Sequence, residues 1–140
     1  MTNVSRRSAI AIGAASLAAP VLVKSVSANT TSASIVLVHG AWHGARAWKD
    51  VVPLLTQKGF QVSTLDLSGL GASYHRQSPD VGLYVHAKDI LNHLFFNDIS
   101  DATVVAHSYG GGVLSEALVG DTEGRIGHAL YLDAFRLEEG

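Results

Sequence analysis

The run Val104-Val105-Ala106-His107-Ser108-Tyr109-Gly110-Gly111-Gly112 sets a serine between an apolar segment and a cluster of glycines. A serine hydroxyl is a weak nucleophile at its ordinary pKa. It needs exposure, a nearby base, and donors for the oxyanion that its attack creates. A sharp strand-to-helix turn meets the first need and places the hydroxyl beside the positive end of a helix. Such a turn brings the residues two before and two after the serine close together, so both must be small. Here they are Ala106 and Gly110. Glycine is the usual choice at the first place, and the methyl of Ala106 crowds the turn slightly. The competing reading is a helix N-cap serine followed by a glycine-rich turn. The apolar strand before Ser108 and the helical stretch after it favour the nucleophile turn, with Ser108 as nucleophile.

The chemistry also needs two donors. The backbone N–H of Tyr109 is the first. The second is expected from a loop after an earlier strand, where His39-Gly40-Ala41-Trp42 stands and Ala41 N–H is the candidate. His39, Gly40, Trp42, His43, His107 and Gly110 are expected to shape the pocket or its loops, His39 as a hydrogen-bonded structural histidine. No histidine is evidently delivered to Ser108 as a base, since His107 should point to the opposite side of the turn. Asp133, at a strand end, is a candidate acid. The seven histidines have no coherent metal spacing and there is no cysteine, so no metal site is expected. Ser68-Gly69-Leu70-Gly71 lacks the glycine spacing and lysine of a phosphate cradle. No cofactor is expected.

Positioning these groups falls to an alternation of elements. Ile35 to Val38 is four apolar residues, three of them β-branched, and reads as a strand buried on both faces. Ala45 to Lys58 reads as a helix that Pro53 kinks or restarts, with Gly59 as its cap. Gln61 to Leu65 is the next strand, and Asp66 to Ser73 a tight loop. Asp80 to Phe95 is a helix with Leu83, Ala87, Ile90, Leu91 and Leu94 on its buried stripe. Ala102 to Ala106 is a strand, a helix starts just after Ser108 and contains Ser115 to Val119, and Ala129 to Leu132 is a fourth strand. The expected class is α/β: an open, mostly parallel sheet with helices on both faces. Ligands of such sheets bind beyond the carboxyl ends of the strands. His39 to His43, the loop after Asp66, Ser108 and Asp133 all belong at that end.

Composition sets the outer bounds. The 140 residues are enough for one domain with a core, and 47% hydrophobic against 16% charged argues against disorder. No basic block exists to track a nucleic-acid backbone. Arg6 and Arg7, a weakly apolar run from Ala9 to Val23, and Val26-Ser27-Ala28 read as an export signal of twin-arginine type at 1–28, cleaved after Ala28. The apolar run is too short for a spanning helix, so no stable membrane anchor is expected. Residues 29–34 form a leader. Beyond Ala28 stand seven basic and twelve acidic residues, a net charge of −5. The expected location is bacterial, periplasmic or secreted.

The segment IVLVHGAWHGARAW at Ile35 to Trp48 resembles the opening of small α/β-hydrolases: the plant methylesterase and hydroxynitrile-lyase type and related bacterial esterases. Asp66 to Ser73, VVAHSYGG, and YLDAF at Tyr131 to Phe135 match the same family in the same order. The resemblance implies an α/β-hydrolase-type sheet over residues 35–140, Ser108 as nucleophile, and Ala41 and Tyr109 as oxyanion donors. It implies acyl transfer on a small, largely apolar ester. Gly40 and Ala41, where the lyase branch has a hydroxyl-bearing residue, favour the esterase branch. The family's acid and histidine lie later than residue 140, so the chain is expected to be the N-terminal part of such an enzyme. The alternatives are a lyase or cofactor-free oxygenase on the same fold, and a non-catalytic protein that binds a small molecule. The expected partner is a small molecule in every case, and sequence leaves the oligomeric state open.

Overall fold

The computed structural model describes residues 32–138. The expected signal at 1–28 and residues 29–31 of the leader lie outside the described residues. Four strands, β1 (Ser34–Val38), β2 (Gln61–Thr64), β3 (Ala102–Ser108) and β4 (Ile126–Ala134), form one sheet in the order β2-β1-β3-β4. Every pair is parallel. Helices α1 (Val51–Gln57), α2 (Leu83–Phe96) and α3 (Tyr109–Gly120) connect successive strands. This is the expected α/β class, a parallel sheet with flanking helices.

Strand order decides where a ligand can enter. Passing from β1 to β2 moves one way across the sheet, while β2 to β3 and β3 to β4 move the other way. Crossovers between parallel strands are right-handed, so α1 covers one face and α2 and α3 cover the other. The chain changes direction between β1 and β3, and the loops leaving those two strands diverge there. The crevice at that switch point is the expected binding place of an open α/β sheet. The loop starting at His39 lies on one side of it and Ser108 on the other.

The main core fills the α2/α3 side. Val36 and Val38 from β1 and Val104 and Ala106 from β3 pack with Ala87, Ile90, Leu94, Val113, Leu114 and Ala117. Leu37, which alternation turns to the α1 side, is also buried. That side is more thinly covered, since α1 buries no residue and β4 is the outer strand of the described sheet. Leu130 and Leu132 are each 46% exposed there.

Several boundaries differ from expectation, for local reasons. The helix expected over Ala45 to Lys58 is a 3-10 turn at Ala45–Trp48 followed by α1. Pro53 is the third residue of α1, where a missing N–H costs no helical bond. Gly59 has φ 91°, and its N–H bonds Thr56 O while Phe60 N–H bonds Leu55 O. That pair closes a left-handed helix end. α2 begins at Leu83 rather than Asp80, after an extended Gly82. A further 3-10 turn, Gly71–Arg76, occupies what read as loop. β3 runs on to Ser108, and β4 begins at Ile126 rather than Ala129 because Ile126 and His128 pair with Ala102 and Thr103, with Gly127 as the extra residue between them.

Candidate active site

Ser108 ends β3 and immediately precedes α3, with φ 53° and ψ −122°. A non-glycine residue there costs of order 1–3 kcal/mol and persists only when its surroundings over-determine it. The hydroxyl makes no capping bond to the helix, so the N-cap reading does not describe Ser108. Two close approaches hold the turn. A Cβ on Gly110 would stand 2.7 Å from His39 O, and one on Gly40 would stand 3.1 Å from Ser108 Cβ. The start of α3 therefore lies against the end of β1, with the Gly40 backbone beside the serine. Ala106 is fully buried beneath the turn.

The peptides that carry the two candidate donors are each held by their carbonyl. Gly40 O, on the Gly40–Ala41 peptide, contacts His39 Nδ1 at 2.8 Å and accepts from His43 N–H at 3.2 Å. Ser108 O, on the Ser108–Tyr109 peptide, accepts from Phe135 N–H at 3.1 Å. In a trans peptide the N–H points opposite the carbonyl, so holding one aims the other. Hydrogen bonding at the carbonyl also polarises the N–H. Tyr109 is the first residue of α3, and its N–H has no partner within the helix.

His39 is fully buried, with both ring nitrogens engaged. Leu67 N–H donates to Nε2 at 3.1 Å, which requires a lone pair there. The proton therefore sits on Nδ1, aimed at Gly40 O, and the ring is neutral. Burial holds its pKa below the ordinary 6.5. His39 thus joins the loop after β1 to the loop after β2. Asp66 joins the same loops by accepting from Ala45 N–H at 2.8 Å. Gly44 and Gly71 close on that carboxylate, which leaves no room for a side chain at either position.

Other expected residues lie nearby without touching the hydroxyl. His107 and His43 meet edge-on with ring centroids 6.5 Å apart. Among the described residues, no histidine hydrogen-bonds Ser108 Oγ. Asp133 is exposed, has φ 43°, and is the extra residue where Ser108 pairs with Ala134. It lines a cleft of about 330 Å³ with Ser108, Ala134 and Phe135, and makes no hydrogen bond to a histidine among the described residues. A larger cleft of about 680 Å³ is lined by Ala41, Trp42, Arg46, Asp66, Leu70 and Tyr74 among others, and Ser108 is not part of its lining. Trp42 is 94% exposed there. No group of three or more metal-ligating side chains occurs among the described residues.

A strained serine at a strand–helix turn is thus set against a histidine-glycine loop. Residues 35–140 match the model of the Alpha/beta hydrolase family. The chain belongs to the alpha/beta hydrolase family. It is 36% identical over 108 residues to a carbendazim hydrolyzing esterase of Nocardioides sp. (strain SG-4G), covering 77% of this chain and 44% of that protein. It is likewise 36% identical over 111 residues to a pFDCC methylesterase of Arabidopsis thaliana, covering 75% and 40%. An extracellular alpha/beta-hydrolase from a Paenibacillus species superposes with a TM-score of 0.68 at 27% identity, covering 77% of this chain and 43% of that one. The chain spans less than half the length of these relatives.

Within this alpha/beta hydrolase chain, sequence reasoning placed the loop of Ser68 at the site but missed His86 and Asp89 as its neighbours. His86 is buried on α2, with Nδ1 2.9 Å from the Tyr109 hydroxyl and Nε2 2.8 Å from Ser68 O. Burial raises the Tyr109 phenol above its ordinary 10.0, so it stays protonated. The available signal was His86 itself. It stands three residues after Leu83 and four before Ile90, on the apolar stripe, and a polar ring there must find partners.

Proposed function

We propose that this chain carries the nucleophile and oxyanion half of a serine carboxylic-ester hydrolase that acts by acyl transfer on small, largely apolar esters. The carrying observation is Ser108, strained and uncapped, beside two backbone N–H groups whose peptides are held by their carbonyls. The Ser108 hydroxyl attacks the ester carbonyl carbon and gives up its proton to a base. The carbonyl oxygen becomes an oxyanion between Ala41 N–H and Tyr109 N–H. Collapse expels the alcohol, and water then releases the acid. Each donor of such a pair contributes on the order of 10²–10³ in rate. The relatives named as an esterase and a methylesterase support ester chemistry. Trp42, Leu70, Ala72 and Tyr74 in the cleft beside Ala41 support an apolar substrate, although Arg46, Asp66 and Gln77 also line it. Asp133 is the candidate acid by its place in the Ser108 cleft.

The test is labelling of the chain by an aryl fluorophosphonate, read by intact mass, together with hydrolysis of a p-nitrophenyl ester. We expect one adduct at Ser108, lost in Ser108→Ala. One observation favours a second reading, in which the chain binds a small molecule without turning it over: no histidine among the described residues reaches Ser108 Oγ. Saturable binding of an ester without an adduct or turnover would establish that reading instead. Export by the signal at 1–28 belongs to the same proposal, and the Paenibacillus relative, described as extracellular, is in keeping with it. A secreted product beginning at residue 29 is the expected mass, and an intact N-terminus in the cytoplasm would refute export.

A further inference from the structure

The loop that follows β2 has left the sheet, and side chains hold it in place of a ladder. Leu67 N–H goes to His39 Nε2 at 3.1 Å. Ser68 N–H goes to Asp89 Oδ2 at 2.6 Å, and the Ser68 hydroxyl to Asp89 Oδ1 at 3.0 Å. Ser68 O faces His86 Nε2 at 2.8 Å, and the other nitrogen of that ring faces the Tyr109 hydroxyl at 2.9 Å. A carbonyl only accepts, so Nε2 carries the proton. In the neutral ring Nδ1 then accepts from the phenol. The ring is buried and meets the Tyr109 ring edge-on, with an interplanar angle of 88°. Each nitrogen is committed, one to the loop after β2 and one to the residue that follows Ser108.

We propose that His86 is a positioning residue for the oxyanion site: it ties the Tyr109 phenol to Ser68 O and so fixes the Ser108–Tyr109 peptide against the loop after β2. The proposal rests on the reading of Ser108 as nucleophile and Tyr109 N–H as donor. Its logic is the strain at Ser108. A backbone at φ 53° and ψ −122° relaxes unless it is held on both sides. On one side the peptide's carbonyl accepts from Phe135 N–H. On the other, Tyr109 belongs to the first turn of α3, where backbone hydrogen bonding is incomplete. Its side chain supplies the missing restraint, and His86 anchors that side chain. Packing alone would join α2 to α3, because Ala87, Ile90 and Leu94 already meet Val113, Leu114 and Ala117 in the core. A buried imidazole among them costs free energy unless both nitrogens are bonded. One of these bonds runs to the loop after β2 and the other to the first residue of α3, beside Ser108. An oxyanion donor works when it sits about 2.7–3.1 Å from the developing charge, so a peptide free to rotate loses part of its effect while the fold stays intact.

The experiment uses the full chain and an aryl fluorophosphonate as the probe of Ser108. Adduct formation is timed by intact mass, and the backbone 15N order parameter at Tyr109 is measured beside it. Tyr109→Phe removes one oxygen and keeps the ring. His86→Phe removes both bonds and keeps a buried ring. Each is expected to slow labelling about tenfold, a fraction of the 10²–10³ lost with a whole donor. The double variant is expected to be no slower than either, because both remove the same restraint. The order parameter at Tyr109 should fall from about 0.85 toward about 0.6 in both. His86→Gln, whose amide can donate to Ser68 O and accept from the phenol, should recover most of the rate, which a role in packing alone would not produce. Unchanged labelling and an unchanged order parameter in Tyr109→Phe would overturn the proposal, as would multiplicative losses in the double variant. A wild-type chain that takes no label at Ser108 would overturn the nucleophile reading instead. The order parameter would then decide by itself whether His86 holds Tyr109, a fixed value in both variants overturning the proposal.

Discussion

Two glycines in the first turn of α3 should respond to alanine in opposite directions. A Cβ on Gly110 would lie 2.7 Å from His39 O, 3.2 Å from Val38 Cγ1 and 3.3 Å from Val38 O. The nearest of these is backbone, and His39 is fixed at both ring nitrogens. The carbonyl can yield only by moving the peptide that leads into Gly40 and Ala41. Overpacking of this kind costs typically about 1–3 kcal/mol. The gain from replacing glycine in a helix is roughly 0.5–1 kcal/mol. The clash wins, and Gly110→Ala should lose about 1–2 kcal/mol net. At Gly112 a Cβ would meet only Leu137 and Leu83 side chains at 3.8 Å, an ordinary contact. Gly112→Ala should therefore gain most of the helix term, about 0.5–1 kcal/mol. In a domain of this size each kcal/mol moves Tm by about 4–8 °C. The assay is thermal and urea unfolding of both variants beside the wild type, with Ser108 labelling as a second readout. Labelling should drop in Gly110→Ala and hold in Gly112→Ala. Equal stability of the two variants would refute the argument that the His39 carbonyl limits the approach of α3.

Three further outcomes follow from the same geometry. Burial holds His39 and His93 below their ordinary 6.5. The unfolded chain takes up protons near that pH that the folded chain refuses, so stability is full above it and falls as pH drops below it; a urea midpoint unchanged between about pH 7.5 and 5.5 would contradict this. Ser108→Gly releases a strained φ of 53° and should raise stability by about 1 kcal/mol while abolishing the adduct; a destabilised variant would show that the turn is relaxed. Asp121 accepts from Arg125 N–H at 3.0 Å and Ile126 N–H at 2.8 Å at the start of β4, so Asp121→Ala should cost about 1–3 kcal/mol, read by urea unfolding.

What the sequence disclosed follows the range of the forces involved. Strands rich in β-branched residues and the stripe on α2 are local patterns, and they gave the class and the element order. Pro53 and Gly59 act through their own backbones, so a kink or restart at Pro53 and a helix end at Gly59 were also legible. The ends of β4 were not, because Ile126 and His128 join the strand only by pairing with β3, with Gly127 as the extra residue at a shift of register between them. The site divides in the same way. Ser108, Ala41 and Tyr109 stand in contiguous motifs. His86 and Asp89 reach the site from α2 across 18 to 23 residues of sequence, and their partners Ser68 and Tyr109 depend on where the helix lands.

The oxyanion side of the proposed site asks less of the chain than the proton-transfer side does. Backbone donors need only that two strand ends lie side by side and that their peptides are held, and the β1–β3 pairing with Gly40 against Ser108 accomplishes this. His39 fixes one peptide from the side, and Phe135 N–H fixes the other from the end of β4. A general base has a stricter requirement, because an imidazole must reach the hydroxyl itself, and none of the described residues does so. Stabilisation of the oxyanion operates without the base, since it acts on charge rather than on the proton. Residual catalysis of about 10³–10⁴ over water survives loss of catalytic-triad members in serine hydrolases. A chain with this half alone should therefore label slowly and measurably, with the adduct requiring Ser108 and its rate depending on Gly110 and Tyr109. Labelling at an undiminished rate after changes at both Gly110 and Tyr109 would place the reactive geometry somewhere other than in these two peptides.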